Sequence, residues 1–344
     1  MPRPSALAVC TTAIGDTLLS TPALLALSRR YDLDVLVHRH RAGLLEAEPY
    51  IRRLYIYRNN ALRRLHLGLT LGRRRYERLL ILHANPDILR LLPRLSYGRA
   101  VNYRGWERPD LNLTNLTFPQ SMHVTDKRLA LAAWAGADPT PTPMRIHLRP
   151  AELKAAEAWL IGQGLPAGRL RAGMCPGAAN LFKRWPAARF GQVARALLDQ
   201  GAVVFLMGSG QEARIMDAVD REAGQPLPRL AGAKLRTLAA VLARSDLVIT
   251  NDTGPLHLSQ AVATPVLALF GPTNPEAFGP RGPADRLLKV PPTCDPCLTK
   301  TCQNPRCLES LTVDMVLEQT RLMLSTEKPA RVSFRDMAGG GTDP

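Results

Sequence analysis

The sequence predicts an α/β chain built from two doubly wound units in tandem, each a parallel sheet with helices on both faces. Three observations predict it. Short apolar runs alternate with helical patterns before residue 136. The alternation stops at "GADPTPTPMRIHLRP" (136–150), where four prolines crowd together. A second alternation then begins at Arg171. Strands separated by helices require crossover connections, which put helices on both faces of a parallel sheet. With 344 residues, 46% of them apolar, the chain is long enough to bury two cores.

Taken in order, residues 6–10 read as a first buried strand. Residues 16–30 read as a helix, with Leu18, Leu19, Ala23, Leu24 and Leu27 at helical spacing. Strands follow over 35–37, 54–57 and 79–82, and the arginine-rich "NNALRRLHLGLTLGRRRYER" (59–78) reads as helical. The proline cluster divides a domain at 1–150 from one at 151–325, which starts with a helix over 151–164. Strand 171–175, helix 186–200, strand 203–207, and helices 211–223 and 235–244 come next. The apolar runs 247–250 and 266–270 are strands, joined by a short helix over 255–262. Residues 326–344 read as a flexible tail, ending in "PARVSFRDMAGGGTDP". No repeat of solenoid length occurs.

Charge is lopsided. Of the net +16, residues 1–150 hold 23 Lys and Arg against 11 Asp and Glu, and residues 151–344 hold 22 against 18. The first half should therefore attract something acidic: nucleic acid, an anionic membrane surface or a phosphorylated acceptor. A nucleic-acid-binding protein rests on this charge alone, and no aromatics cluster among the arginines. No apolar run reaches the ~18 residues of a membrane span. The N-terminus lacks the basic flank of a signal peptide. The expected location is the cytosol, where the six cysteines stay reduced.

Four strand-to-helix corners can carry chemistry. In "NDTGPLHLSQAVATPVLALFGPT" (251–273), Asp252, Thr253 and Gly254 stand where a helix N-terminus offers free N–H groups and partial positive charge. That suits a phosphate or diphosphate, with Asp252 accepting sugar hydroxyls. The plainer reading makes Asp252 or Thr253 an N-cap and leaves His257 on the surface. In "CPGAANLFKRWPAARF" (175–190), Lys183 just precedes a helix and can meet a diphosphate. In "LMGSGQEARI" (206–215), Glu212 is either an acceptor for ribose hydroxyls or a helix-start carboxylate, and the glycines fall short of the dinucleotide pattern. A nicotinamide oxidoreductase is disfavoured accordingly. In "TTAIGDTLLSTPAL" (11–24), Asp16 is either a helix-start carboxylate or a general base facing a cleft.

"GDTLLSTPAL", "PGAANLFKRWP", "NDTGPLHLSQAVATPVLALFGPTNPEAFGP" and the cysteine segment resemble, in order over residues 6–325, the family 9 glycosyltransferases, the heptosyltransferases of lipopolysaccharide core assembly. The resemblance implies the GT-B architecture, two Rossmann-like domains facing across a cleft. The C-terminal domain would hold the nucleotide-sugar donor, ADP-L-glycero-D-manno-heptose, and the N-terminal one the acceptor, a lipid-linked inner-core saccharide at the cytoplasmic face of the inner membrane. It implies inversion without a metal cofactor. By the same resemblance Asp16 is the base, Lys183 contacts the donor's phosphate and sugar, Glu212 binds ribose, and Asp252 holds sugar hydroxyls. Thr253 and Gly254 then offer N–H groups to the diphosphate, and His257 stands close by. Two features depart from the pattern and bear on the sugar and acceptor: Ala178 and Ala179 replace threonines found before the lysine in some members. Thr11 and Thr12 precede Gly15 without the arginine often found there. A family 9 enzyme with another nucleotide sugar or acceptor is the alternative.

Cys294, Cys297, Cys302 and Cys307 lie in "CDPCLTKTCQNPRC" at a spacing that four zinc-bound thiolates could satisfy, against four reduced thiols in a turn-rich loop.

Overall fold

The computed structural model describes residues 3–106, 108–291, 294, 297 and 302–325. Strands β1 (Ser5–Cys10), β2 (Asp32–His38), β3 (Arg53–Tyr57), β4 (Arg75–His83), β5 (Ser96–Asn102) and β6 (Leu113–Asn115) form one sheet. Strands β7 (Arg171–Cys175), β8 (Val203–Gly208), β9 (Arg229–Ala231), β10 (Leu247–Asn251), β11 (Val266–Phe270) and β12 (Arg286–Lys289) form a second. Every pairing is parallel. The orders are β3-β2-β1-β4-β5-β6 and β12-β11-β10-β7-β8-β9, so the two sheets share one topology. In each, the winding reverses between the first and fourth strands, and crevices open at the carboxyl ends of the strands there. One reversal lies between β1 and β4, the other between β7 and β10.

The helices are α1 (Ile14–Leu18), α2 (Thr21–Arg30), α3 (Ala61–Gly72), α4 (Val124–Trp134), α5 (Pro150–Gly162), α6 (Ala187–Asp199), α7 (Ala213–Ala223), α8 (Leu235–Leu242), α9 (Gly254–Ala261), α10 (Pro275–Phe278), α11 (Arg306–Glu309) and α12 (Val313–Ser325). The central strands β1, β7, β10 and β11 are mostly apolar and, Ser5 apart, buried, as strands covered on both faces are; Arg171, Thr250 and Asn251 are the buried polar side chains within them. One apolar cluster runs from Ala6 and Leu24 through Leu148 and Leu160 to Val248 and Phe270, so a single core crosses both halves.

Two expectations are corrected. The helix over 16–30 is broken into α1 and α2, because Pro22 has no N–H to continue the ladder. The Thr21 hydroxyl donates instead to the Leu18 carbonyl (2.8 Å), and Ser20 donates to that of Asp16 (2.8 Å). Residues 75–78 are strand, not helix. Tyr76 is buried between exposed Arg75 and Glu77, a period of two, and its hydroxyl donates to buried Asp34 (2.9 Å). The proline-rich stretch 136–149 has no regular structure but is tied down. Ile146 N–H donates to the Ala261 carbonyl (3.1 Å), and Arg236 reaches the carbonyls of Gly43 (3.1 Å) and His147 (2.9 Å). The expected tail, 326–344, lies outside the described residues. Among the described residues, no helix is long and apolar enough to cross a membrane.

Candidate active site

At the first reversal point β1 and β4 end side by side, with Cys10 paired to His83. The chain leaves β1 through Thr11 and Thr12 and starts α1, placing Asp16 in its first turn. Four groups meet there. Asp16 Oδ1 accepts from Arg128 Nη2 (2.9 Å), and Asp16 Oδ2 accepts from the Thr12 hydroxyl (3.0 Å). His83 Nε2 lies 3.2 Å from the same oxygen. Arg128, from α4, is fully buried and also donates to the Asp16 backbone carbonyl. The Asp16 side chain keeps 16% of its surface exposed, enough to meet a substrate.

Burial alone would raise the Asp16 carboxyl. Arg128 and His83, with the hydrogen bonds from Arg128 and Thr12, outweigh it and hold the carboxyl below the usual carboxylate range. His83 is pushed down to about 4, first by burial, then by Arg128 and Arg104, against the pull of Asp16. It is neutral near pH 7 and can donate through Nε2–H to the carboxylate, while Nδ1 faces the Thr12 hydroxyl.

At the second reversal point β7 and β10 end side by side. Lys183 follows β7 and Asp252 follows β10, and their side chains pair at 2.5 Å. Asp252 Oδ2 also accepts from the Thr273 hydroxyl (2.8 Å). Buried Asn251 holds the loop in place, accepting from the Trp185 N–H (3.0 Å) and donating to the Pro176 carbonyl (2.9 Å). Thr253 is the N-cap of α9 and its side chain makes no capping bond; Pro255 has no N–H and the Leu256 N–H turns back to the Thr253 carbonyl (3.2 Å), which leaves the Gly254 N–H at the helix start.

The two corners touch. A Cβ on Gly15 would come within 2.5 Å of His257 Cδ2, and one on Gly254 within 3.3 Å of the Ile14 side chain. Glycine at 15 is therefore what lets α1 approach α9. His257 is buried, not on the surface, because α1 covers that face of α9. Burial holds its imidazole below the ordinary range, and Nδ1 has no hydrogen-bond partner among the described residues. Asp16, Lys183, Asp252, Thr253, Gly254 and His257 thus lie along one seam.

Glu212 sits at the third corner, after β8. It accepts from the Ser209 N–H (2.6 Å), the helix-start role, and its carboxylate lies against Gly177 and Gly208, where any Cβ would collide with it. The four loop cysteines are free thiols, and no metal-holding group of three His, Cys, Asp or Glu occurs among the described residues, so the zinc reading gains no support.

Sequence reasoning missed His83, Arg128, Asn251 and Thr273. His83 had a signal, since it directly follows the predicted strand over 79–82. Arg128 had none: it lies 112 residues from Asp16, on a helix, α4, that the sequence pattern did not mark.

The model of glycosyltransferase family 9 (heptosyltransferase) matches residues 88–308. The lipooligosaccharide heptosyltransferase 2 of Campylobacter jejuni is 31% identical over 166 residues, 46% of this chain and 52% of that protein. The chain spans between 36% and 52% of the length of the first curated relatives it matches. A family 9 glycosyltransferase structure from Veillonella parvula superposes with a TM-score of 0.84 at 20% identity, covering 94% of this chain and 98% of that one. The Escherichia coli ADP-heptose lipopolysaccharide heptosyltransferase II superposes at 0.75 with 22% identity, over 93% and 98%. Both likenesses concern the fold: two Rossmann-like units in the GT-B arrangement.

Proposed function

Since the chain belongs to glycosyltransferase family 9, we propose that it moves a heptose from ADP-L-glycero-D-manno-heptose, with inversion, to an anionic lipid-linked inner-core saccharide. The observation that carries this reading is the contact of two reversal-point corners, one holding an ionised carboxylate and the other a lysine at a helix N-terminus.

Asp16 is the general base. Its Oδ1 makes one close side-chain contact and its Oδ2 two, so lone pairs remain to receive an acceptor hydroxyl's proton. Arg128 keeps the carboxylate ionised and fixed, and neutral His83 sets the orientation of Oδ2. The same contacts weaken it as a base, so the proton moves late, once the attacking oxygen is already bonding to the anomeric carbon and has become acidic. On the far side, charge grows on the leaving diphosphate. Lys183 and the N–H groups at Thr253 and Gly254 meet it. When Lys183 turns to the phosphate, Asp252 keeps the Thr273 hydroxyl and frees acceptor oxygens for sugar hydroxyls. Glu212 accepts the ribose hydroxyls, and His257 backs the α1–α9 contact. The enzyme works at the cytoplasmic face of the inner membrane, where its basic half faces the anionic acceptor.

The test is release of ADP from ADP-heptose in the presence of a heptose-deficient lipopolysaccharide acceptor. Turnover with ADP-heptose and none with UDP- or GDP-sugars supports the reading. Turnover with one of those sugars instead overturns the donor assignment.

A further inference from the structure

Helix α3 has two apolar faces. Leu67 and Leu71 point into the first half's core, as an amphipathic surface helix requires. On the opposite face, spaced by one helical turn each, Leu62, Leu65 and Leu69 are 77%, 46% and 59% exposed. They make up three of the eight large hydrophobic side chains exposed among the described residues, gathered within eight positions. A helix apolar on both faces is normally covered on both, and contiguous exposed apolar surface marks an interaction site.

The surroundings say what covers it. Between Glu48 and Glu77 the chain carries eight arginines and no acid, and Arg58, Arg63 and Arg73 are exposed at the start, flank and end of the leucine stripe. Leucines ringed by arginines fit the interface of an anionic bilayer, with the apolar row among the acyl-chain ends and the guanidinium groups at the phosphates. Nucleic acid offers no place for three leucines. A second copy would set arginine row against arginine row.

The placement also fits. Helix α3 follows β3, so its first turn stands at the carboxyl edge of the sheet, the edge where α1 carries Asp16. Asn60 caps that turn, accepting from the Arg63 N–H (3.2 Å), and Gly68 and Gly72 let the helix sit close on Arg94. The helix is capped and packed on its inner face, with its leucines outward.

We propose that α3 is a membrane-docking helix: Leu62, Leu65 and Leu69 insert into the interface of an anionic phospholipid bilayer while Arg58, Arg63 and Arg73 bind its phosphates. This deepens the acceptor reading above, because a docked α3 holds the Asp16 edge toward lipid-borne substrate. It is tested without that reading, on vesicles that carry no saccharide.

Flotation with vesicles of phosphatidylglycerol and phosphatidylethanolamine, against phosphatidylcholine alone, compares the parent with two triple variants. One is Leu62→Gln, Leu65→Gln, Leu69→Gln; the other is Arg58→Gln, Arg63→Gln, Arg73→Gln. The parent should partition to anionic vesicles, and amide exchange over residues 61–72 should slow on binding. The leucine variant, which changes only outward side chains and should melt like the parent, should lose about tenfold or more in partition at low and high salt alike. The arginine variant should lose about fivefold per residue at low salt, and much less at high salt. Parental binding by the leucine variant overturns the insertion. So does a parent that ignores vesicles but forms a dimer in light scattering that the leucine variant cannot form.

Discussion

Replacing Asp16 by asparagine removes one negative charge from a buried ion pair that is also the proposed seat of the base. Arg128 is fully buried, and Asp16 is the carboxylate that faces it, at 2.9 Å. Removing one partner of a buried pair costs about 3–5 kcal/mol, because the remaining charge stays desolvated. Asparagine still offers an oxygen to Arg128, and the Asp16 backbone carbonyl remains as an acceptor. The loss expected for Asp16→Asn is therefore about 1–3 kcal/mol, and for Asp16→Ala about 3–5 kcal/mol. The sequence by itself left two separate roles for this carboxylate, a helix-start group or a base; the buried arginine gives it a structural role that the proposed base role would share, so stability alone cannot tell them apart. Turnover does. An amide cannot take the acceptor's proton, and the loss should be about a hundredfold or more in ADP release. ADP should still bind, since Lys183 and the start of α9 lie on the other corner. The decisive assay is turnover of Asp16→Asn at a temperature where melting shows it folded. Near-parental turnover there would refute the base assignment while leaving the family and fold untouched.

ADP should raise the melting temperature more than UDP, GDP or NAD; at about a hundred times its dissociation constant the stabilisation is about 2.7 kcal/mol, and equal shifts for UDP and ADP would remove the adenine preference. Acid should destabilise the protein in two steps. Burial depresses His83 and His123 to about 4 and lowers His257, so the unfolded chain takes up protons below its ordinary His range while the folded one does not. Stability is complete above about pH 6.5 and falls as pH drops toward 4, by about 3 kcal/mol for His83 alone; His83→Gln should flatten that limb, measured by urea unfolding against pH. Asp16, held below its ordinary range by its partners against the effect of burial, adds a second loss below about pH 4. Cys10 and Cys175, buried and pushed up to about 11 and about 12, should resist iodoacetamide until urea unfolds the chain, whereas exposed Cys294 should label at once.

What could be read from the sequence was what local pattern and composition encode. Buried parallel strands are continuous apolar runs, so β1, β7, β8, β10 and β11 were legible, and so were the corners at their ends. The three-residue strands β6 and β9 carry too little pattern to announce themselves, and β12 is only half-buried. Residues 75–78 misled because arginine-rich helix and the alternation that buries Tyr76 share the same letters until a partner strand exists. At the candidate site, the groups proposed to meet donor and acceptor stood in recognisable strand-to-helix corners. The groups that tune them did not, since Arg128 and Thr273 acquire meaning only when the fold brings them to Asp16 and Asp252.

That difference follows from how the seam is balanced. Each charged group along it is met by another: Asp16 by Arg128, Lys183 by Asp252. Buried charges must be paired somewhere, so a cleft that binds a diphosphate, as proposed above, would hold its own lysine until the ligand arrives. On that proposal the Lys183–Asp252 pair opens for the sugar donor, and the carboxylate it leaves keeps a second hydrogen-bond donor, the Thr273 hydroxyl at 2.8 Å. Thr273→Val tests this step directly. It keeps shape while removing the hydroxyl, so Asp252 would hold Lys183 more tightly. The expected result is weaker ADP binding, by about fivefold to tenfold for one hydrogen bond to a charged group. Melting of the unliganded protein should change little, because Lys183 still pairs with Asp252. Unchanged ADP affinity in calorimetry would show that Lys183 does not have to leave Asp252 to meet the diphosphate.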